Sequence, residues 1–400
     1  LGDNHLLRRN KNYRILWLAN SGSILGDWFN QVALGQVTLL LTNSPSAMGI
    51  VLLCRSLPSV LLGPVVSPLV DRYSKKKIML ISDFTRALFA LLFPLGVFFH
   101  MMSPLFVGAI LLGICSILFS PAQQATLPLI LPGRDLAQAN SINSGTYGFL
   151  SILGAVSGGI VAALVTPVLC FLINALSYLW SAVWILHFNI AEPVSGKLVS
   201  ESWLCSLREG LHEAATNKIV RAIMIIGISW GFAGGGYAIL IPLLGQMVYK
   251  MGGFGIGLLY SIDGMGVLLG AFLVNKFIGS NDNRVNRWYG IDYLTQAVFF
   301  ALLCQSALFI YGAVFLLLMR ISSGIIIPLD SYLIQRHTRP EIRGRIFALH
   351  NSTYSGVMQL SYACFGYLFE KFGINKMGIF IGLISFLCGL TWLLNKHGRE

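Results

Sequence analysis

Aspartate and arginine side chains interrupt the long apolar runs of this 400-residue chain at Asp27, Arg55, Asp83, Arg86, Asp263, Asp292 and Arg320. An ionisable group inside hydrocarbon costs roughly 2.5–3.5 kcal/mol even on insertion scales, so each of these needs a partner or a function. Asp27 lies thirteen residues beyond Arg14, about 20 Å along a helix at ~1.5 Å per residue. Arg55 lies about eight residues in from the opposite end of the next run, about 12 Å deep. In a hydrocarbon core of ~30 Å these depths nearly coincide, and the two are expected to pair, either as a proton or substrate site whose charge changes or as a fixed ion pair. Asp263 and Arg320 sit near the middle of their runs and form a second candidate pair for proton coupling or substrate. Asp83 and Arg86, three apart on one helical face, suit mutual neutralisation and a structural role. Asp292, Asp330 and His337 fall close enough to the ends of their runs to reach water.

Aromatic side chains around these charges suggest a wide amphipathic lining for a bulky, partly apolar ligand: Trp28 and Phe29 beside Asp27, Tyr147 and Tyr354, Trp230 and Tyr237 flanking Gly234-Gly235-Gly236, and Tyr260 near Asp263. For any one of them, lipid-facing packing is the alternative. The chain has no G-x-x-x-x-G-K-[ST] loop and no H-E-x-x-H pair, so neither ATP hydrolysis nor metalloenzyme chemistry is indicated. No enzyme activity, metal or cofactor is expected. The seven cysteines are scattered without C-x-x-C spacing and fit small apolar packing residues.

The elements that position these groups follow from composition. The chain is 55% apolar and 11% charged, a balance that a soluble core of this size cannot hide. Twelve apolar runs, near 15–41, 47–70, 78–99, 104–120, 140–165, 167–188, 219–246, 254–278, 288–306, 308–330, 346–369 and 374–395, are each long enough to span a bilayer, and must be helical because lipid offers the backbone no partners. The first reads as a spanning helix rather than a signal peptide. Of the 28 lysines and arginines, only Lys250, Lys371 and Lys376 fall at the ends opposite the N-terminal arm, apart from those inside runs. The excess predicts cytoplasmic termini in an inner or plasma membrane and accounts for the +12 net charge without nucleic acid.

A single offset of 207 places Asn10-Lys11 on Asn217-Lys218, Arg14 on Arg221, Gly63 on Gly270, Pro121 on Pro328, Thr146-Tyr147 on Thr353-Tyr354 and Gly159 on Gly366. The chain is therefore expected to be an all-α membrane protein of twelve helices in two pseudo-repeated bundles of six, 1–188 and 218–400. They are joined by 189–217, in which Trp203, Leu204, Leu207 and Leu211 recur at helical spacing as an amphipathic surface helix or a solvated linker.

Twelve helices in a parallel repeat of six, with a basic turn after the second, resemble the major facilitator superfamily. That family's signature G-x-L-x-D-R-x-G-[RK]-[RK] is matched at Leu69, Asp71, Arg72, Lys75 and Lys76, with Ser67 and Ser74 in place of both glycines. Asn12-Tyr13-Arg14, Leu16-Trp17, Gly26-Asp27-Trp28, Ser82-Asp83, Arg86-Ala87, Ser120-Pro121-Ala122 and Arg343-Gly344-Arg345 are similar to the group that includes macrolide efflux proteins and the enterobactin exporter. Two features depart from proton antiporters: Gly154 to Gly159 lacks the proline of G-P-x-x-G-G, and the fourth helix lacks a membrane arginine. The resemblance implies a monomeric secondary transporter exporting an amphipathic small molecule, a drug or metabolite, by proton antiport. A siderophore, metallophore or lysophospholipid carrier is the alternative cargo class; a non-transporting receptor or scaffold is disfavoured by the short, nearly uncharged outer loops. The resemblance also implies that Asp71, Arg72, Lys75 and Lys76 lie against the start of the eleventh helix at Arg343 and Arg345 as a conformational latch.

Overall fold

A computed structural model of the chain describes residues 5–188, 203–279, 281–340 and 342–394, with the side chains of 5, 64–72 and 203–207 outside that description. Helix follows helix: α1 (His5–Arg9), α2 (Lys11–Thr42), α3 (Pro45–Arg72), α4 (Lys75–Ala90), α5 (Leu92–Phe98), α6 (Ser103–Ile130), α7 (Gly133–Leu164), α8 (Pro167–Leu186), α9 (Trp203–Thr216), α10 (Lys218–Leu243), α11 (Gly252–Leu273), α12 (Asp282–Gln305), α13 (Phe309–His337) and α14 (Arg343–Leu394). α4 and α5 form one span broken at Leu91, and α10 and α11 each end in a π-helical turn, Leu244–Val248 and Val274–Ile278. α14 holds two spans, separated at Gly373, whose φ of 80° and ψ of 162° are open to glycine and strained for other residues. Among the described residues, helices cover all twelve expected runs, in an all-α membrane fold.

Polar residues set the helix ends. Asn10, Ser44, Ser74, Thr166 and Asn281 each accept a backbone N–H at the start of the helix that follows, and Pro45 and Pro167 sit where a missing N–H costs nothing. Nine helical stretches among the described residues are apolar and long enough to cross a bilayer. α2 and α12 are long enough but more polar, since their Asn, Gln and Asp side chains are turned into protein: Asn30, Gln36, Asp292 and Gln296 are all buried.

The chain divides into two compact units, one of 1–198 with Leu244–Ser261, the other of 199–243 with Ile262–Glu400. In the first, Phe29, Leu34, Phe93, Leu105, Phe171 and Tyr178 belong to one core cluster. In the second, the core gathers Val220, Ile223, Tyr289, Tyr293, Leu333, Ile346 and Trp392.

The 207-residue repeat is visible in one brace made twice. Asn10 Nδ2 donates to the Ile130 carbonyl at 2.8 Å, and Asn217 Nδ2 donates to the His337 carbonyl at 2.8 Å. In each unit this ties the start of one span to the end of another, and the proline inside the braced partner helix also recurs, Pro121 in α6 and Pro328 in α13. Asn217 Oδ1 also accepts the N–H groups of Ile219 and Val220. Asn217→Ala removes the cap and the brace together and is expected to cost about 1–2 kcal/mol, read as a lower unfolding midpoint in detergent. Asn217→Asp should retain the cap but not the brace, and fall between.

Candidate functional site

In the first unit the site is built where α2 and α8 approach closely. A Cβ on Gly26 would collide with Ser177 Oγ, so only glycine lets the two backbones come this near. That closeness lets Tyr178 of α8 donate its hydroxyl to Asp27 Oδ1 at 2.6 Å. Arg55 Nη2 stands 3.5 Å from the same oxygen, with side-chain exposures of 27% for Arg55 and 37% for Asp27, and its Nη1 donates to Gln31 Oε1 at 3.4 Å. Gln31 Nε2 in turn donates to the Tyr260 hydroxyl, and Trp28 meets the Tyr260 ring edge-to-face at 5.4 Å. The expected Asp27–Arg55 pair is thus formed, at partial exposure.

Asp83 and Arg86 are paired at 2.5 Å and buried. Ser181 donates to the second carboxylate oxygen at 2.6 Å, and the guanidinium lies 3.9 Å from the centroid of Phe119 and 4.6 Å from that of Tyr178. Tyr178 therefore joins two groups that the sequence suggested were independent. Its phenol binds Asp27 while its ring face covers Arg86. The signal available in sequence was the i, i+4 pair Asn174 and Tyr178 within an apolar helix, whose polar tips require partners.

The same unit holds a cavity of about 580 Å³ between α2, α6 and α7, lined by Asn20, Gln123, Gln124, Asn140 and Asn143, with Trp17 and Tyr147 as its aromatic walls. No charged side chain lines it among the described residues. Trp17 is held by an indole N–H bond to Thr146 Oγ1 at 2.9 Å, and the Tyr13 hydroxyl donates to Asn143. Of these residues the sequence pointed only to Tyr147, which is 54% exposed. The amides were missed because they come from three helices with no common spacing. Phe29 corrects the expected cavity lining: it is 6% exposed and packs into the core against Gly158, because its place on α2 turns it away from the Asp27 side.

In the second unit Arg320 Nε and Asp263 Oδ1 form an ion pair with 16% and 18% exposure. Tyr237 donates its hydroxyl to Asp263, and the Arg320 guanidinium lies 5.0 Å from the Tyr237 ring centre. Gly266 makes room: a Cβ there would fall 2.5 Å from Arg320 Cβ. Trp230 packs edge-to-face on Tyr293 at 6.3 Å, beside the core. Two residues placed near water by sequence are instead turned into protein, Asp292 fully buried and Asp330 mostly so. Asp292 is 3% exposed with one carboxylate oxygen unpartnered, and Asp330 lies 3.4 Å from His350. Both face protein because the helices around them extend past the apolar run that set their apparent depth. The stretch Gly227-Ile228-Ser229-Trp230-Gly231 has the spacing of a nucleophile elbow but lies within α10, where Ser229 donates to the Ile225 carbonyl as an ordinary helical serine.

Of the latch residues, the side chains of Asp71 and Arg72 lie outside the described ones. Lys76 donates to the Leu186 carbonyl at the end of α8, and Lys75 opens α4 behind the Ser74 cap. Arg345 pairs with Glu209 and Arg339 with Glu213, which attaches α9 to its own unit. Arg343 donates to the Thr338 carbonyl. Trp203–Thr216 is helical as the periodicity predicts, but Trp203, Leu204 and Leu207 lie outside the described side chains, while Leu211 is exposed.

Residues 16–361 match the family model described as Major Facilitator Superfamily. Macrolide efflux protein A of Streptococcus pyogenes is 24% identical over 400 residues, covering 95% of this chain and 96% of that protein. BacE of Bacillus subtilis (strain 168), named as a putative bacilysin exporter, is 28% identical over 366 residues, covering 88% and 86%. Among solved structures, a point mutant of the nucleoside transporter NupG superposes with a TM-score of 0.79 at 12% identity, covering 96% of this chain and 99% of that one.

The Asp83–Arg86 geometry makes a direct prediction. Asp83→Asn leaves a buried guanidinium without its counter-charge and is expected to cost about 3–5 kcal/mol, seen as lost folded protein in detergent. Replacing both residues by leucine should recover most of that loss.

Proposed function

Since this chain belongs to the Major Facilitator Superfamily, a family of membrane transporters, we propose that it exports an amphipathic small molecule from the cytoplasm across a bacterial plasma membrane, as a monomer with both termini inside. Two six-helix halves, 1–188 and 218–400, joined by 189–217, alternate access to a mid-membrane site. The observation that carries the choice of cargo is the uncharged cavity of the first unit: five amides and two aromatic walls suit a molecule of at most one charge with hydrogen-bonding groups on an apolar frame. A multiply charged chelate would find no counter-charge on that lining, which favours a macrolide-like drug or a neutral metabolite over a siderophore or metallophore. The efflux proteins among the relatives support the outward direction.

Proton antiport is the proposed energy source. Protonation of Asp27 would weaken its hold on Arg55 and shift the balance between inward- and outward-open states, provided the two states bind that proton with different affinity. Asp263 and Arg320 are the corresponding charged pair of the second half. Asp71 with its lysines would hold the cytoplasmic side closed by engaging the start of α14 in one of the two states. In that case disulfide cross-linking between the 71–76 turn and residues 343–348 should fall several-fold in Asp71→Asn; unchanged cross-linking would leave those charges only the task of keeping the turn inside.

The transport reading is tested with purified protein in liposomes enclosing a pH-sensitive dye. Adding a macrolide such as erythromycin to wild-type protein should move protons with the drug, and Asp27→Asn should abolish the proton signal. Drug movement with a silent dye would remove proton coupling, and export left intact in Asp27→Asn would remove the role of that carboxylate.

A further inference from the structure

We propose that His350 and Asp330 form a proton-binding site inside the second unit, distinct from the arginine-paired carboxylates. The inference rests on the proton-coupled reading above and adds a site to it.

The acids within the helices differ in their partners. Asp27, Asp83 and Asp263 each face an arginine. A guanidinium keeps its charge at any pH a protein meets, so adding a proton to Asp83 or Asp263 strands a cation in a poorly solvated place, whereas Arg55, 27% exposed beside Asp27, stays partly hydrated. Asp330 differs. Its cationic partner is a histidine, with Nε2 of His350 3.4 Å from Asp330 Oδ2 and side-chain exposures of 10% and 18%. Imidazole is the side chain whose charge ordinarily changes near neutral pH. With His350 neutral, the pair carries one negative charge. Taking one proton onto the imidazole makes it an ion pair of zero net charge, and releasing that proton reverses the change.

The surroundings position the pair for this exchange. The Tyr289 hydroxyl donates to Asp330 Oδ1 at 2.8 Å and holds the carboxylate when the imidazole is neutral. Tyr289 is itself buried and meets Tyr293 edge-to-face at 5.3 Å. Space for the imidazole comes from Gly227 of α10, where a Cβ would fall 2.7 Å from Nε2. Nε2 has no hydrogen-bond partner in good geometry, and the residue is 8% exposed. A buried ring nitrogen placed beside a carboxylate, yet not committed to a bond, is a place for a proton to arrive.

The ionisable groups facing the pair can be named element by element. α12 brings Tyr289 and Tyr293. On α14, Tyr354 lies one turn beyond His350 and is in electrostatic reach of both Asp330 and Arg320. On α13, Arg320 lies ten residues before Asp330, about 15 Å along the helix, and is committed to Asp263. α10 offers glycine at this level, with Lys218 and Arg221 only in its first turn. On α9, Glu209 is engaged by Arg345. No arginine or lysine forms a salt bridge with Asp330 among the described residues, so the charge of this pair depends on its proton.

The test reads the imidazole itself. Full-length protein carrying isotope-labelled histidine is placed in lipid nanodiscs and its ring nitrogens are followed by NMR from pH 5 to 8.5, with His350→Gln identifying the signal. The expected result is a ring that takes up a proton as pH falls across this range and holds it less well in Asp330→Asn. Gly227→Ala, which presses on the ring without changing any charge, should shift the transition while leaving the chain folded, and gives a second variant should His350→Gln fail to fold. A ring in one charge state throughout, or a transition indifferent to Asp330→Asn, overturns the proposal. A ring that titrates as expected in a protein whose drug export moves no protons upholds the site and removes only the antiport reading.

Discussion

The constraint on which the structure depends is the shortage of solvation inside the bilayer. Water compensates charge almost anywhere on a soluble protein; here each buried charge must be compensated by another side chain. The molecule meets most of this demand with acid–base pairs; Asp292, buried with one carboxylate oxygen unpartnered, stands outside them. Asp27 has Arg55, Asp83 has Arg86, Asp263 has Arg320 and Asp330 has His350. Tyrosine hydroxyls supply the remaining donors: Tyr178 to Asp27, Tyr237 to Asp263 and Tyr289 to Asp330. A tyrosine suits this position because its ring packs among apolar neighbours while its tip stays polar. Glycines at 26, 227 and 266 complete the pattern, since a side chain at any of them would collide with a neighbouring helix or with the buried charge it adjoins.

The pairs differ in how firmly they are fixed. Asp83–Arg86 is enclosed on all sides, with a serine on the acid and two aromatic faces on the base. It behaves as part of the scaffold, and through Tyr178 it holds the geometry of Asp27. Asp27 and Arg55 are more open, and a partly solvated pair can exchange partners at lower cost than a sealed one. The difference between a rigid pair and an adjustable one thus arises from packing around chemically identical groups.

Much of this was legible in the sequence. The number of spans, the break near Gly373 and the 207-residue repeat all follow from patterns that hydrophobicity and chain geometry impose. The Asp27–Arg55 pair followed from depth alone, because helix rise converts residue counts into position across the bilayer. Depth carries no information on direction around the helix, and the failures lie there. Phe29 was placed on the wrong side of α2, the amides of the cavity come from three helices with unrelated spacing, and Asp292 and Asp330 were placed near water when they point into protein. Rotation about the helix axis is fixed by contacts between distant segments. Such contacts leave little local trace in a helix whose apolar residues face lipid as well as protein.

The brace that Asn10 makes to Ile130, and Asn217 to His337, has a mechanical consequence. Fixing the start of one long helix to the end of another removes a freedom that a bundle of independent rods would have, that of sliding past each other. A group of helices so pinned acts as a lever arm. For a rod ~30 Å long, a tilt of about 10° carries its far end through about 5 Å. A small change in charge near the middle of the membrane can then become a displacement of molecular size at either surface.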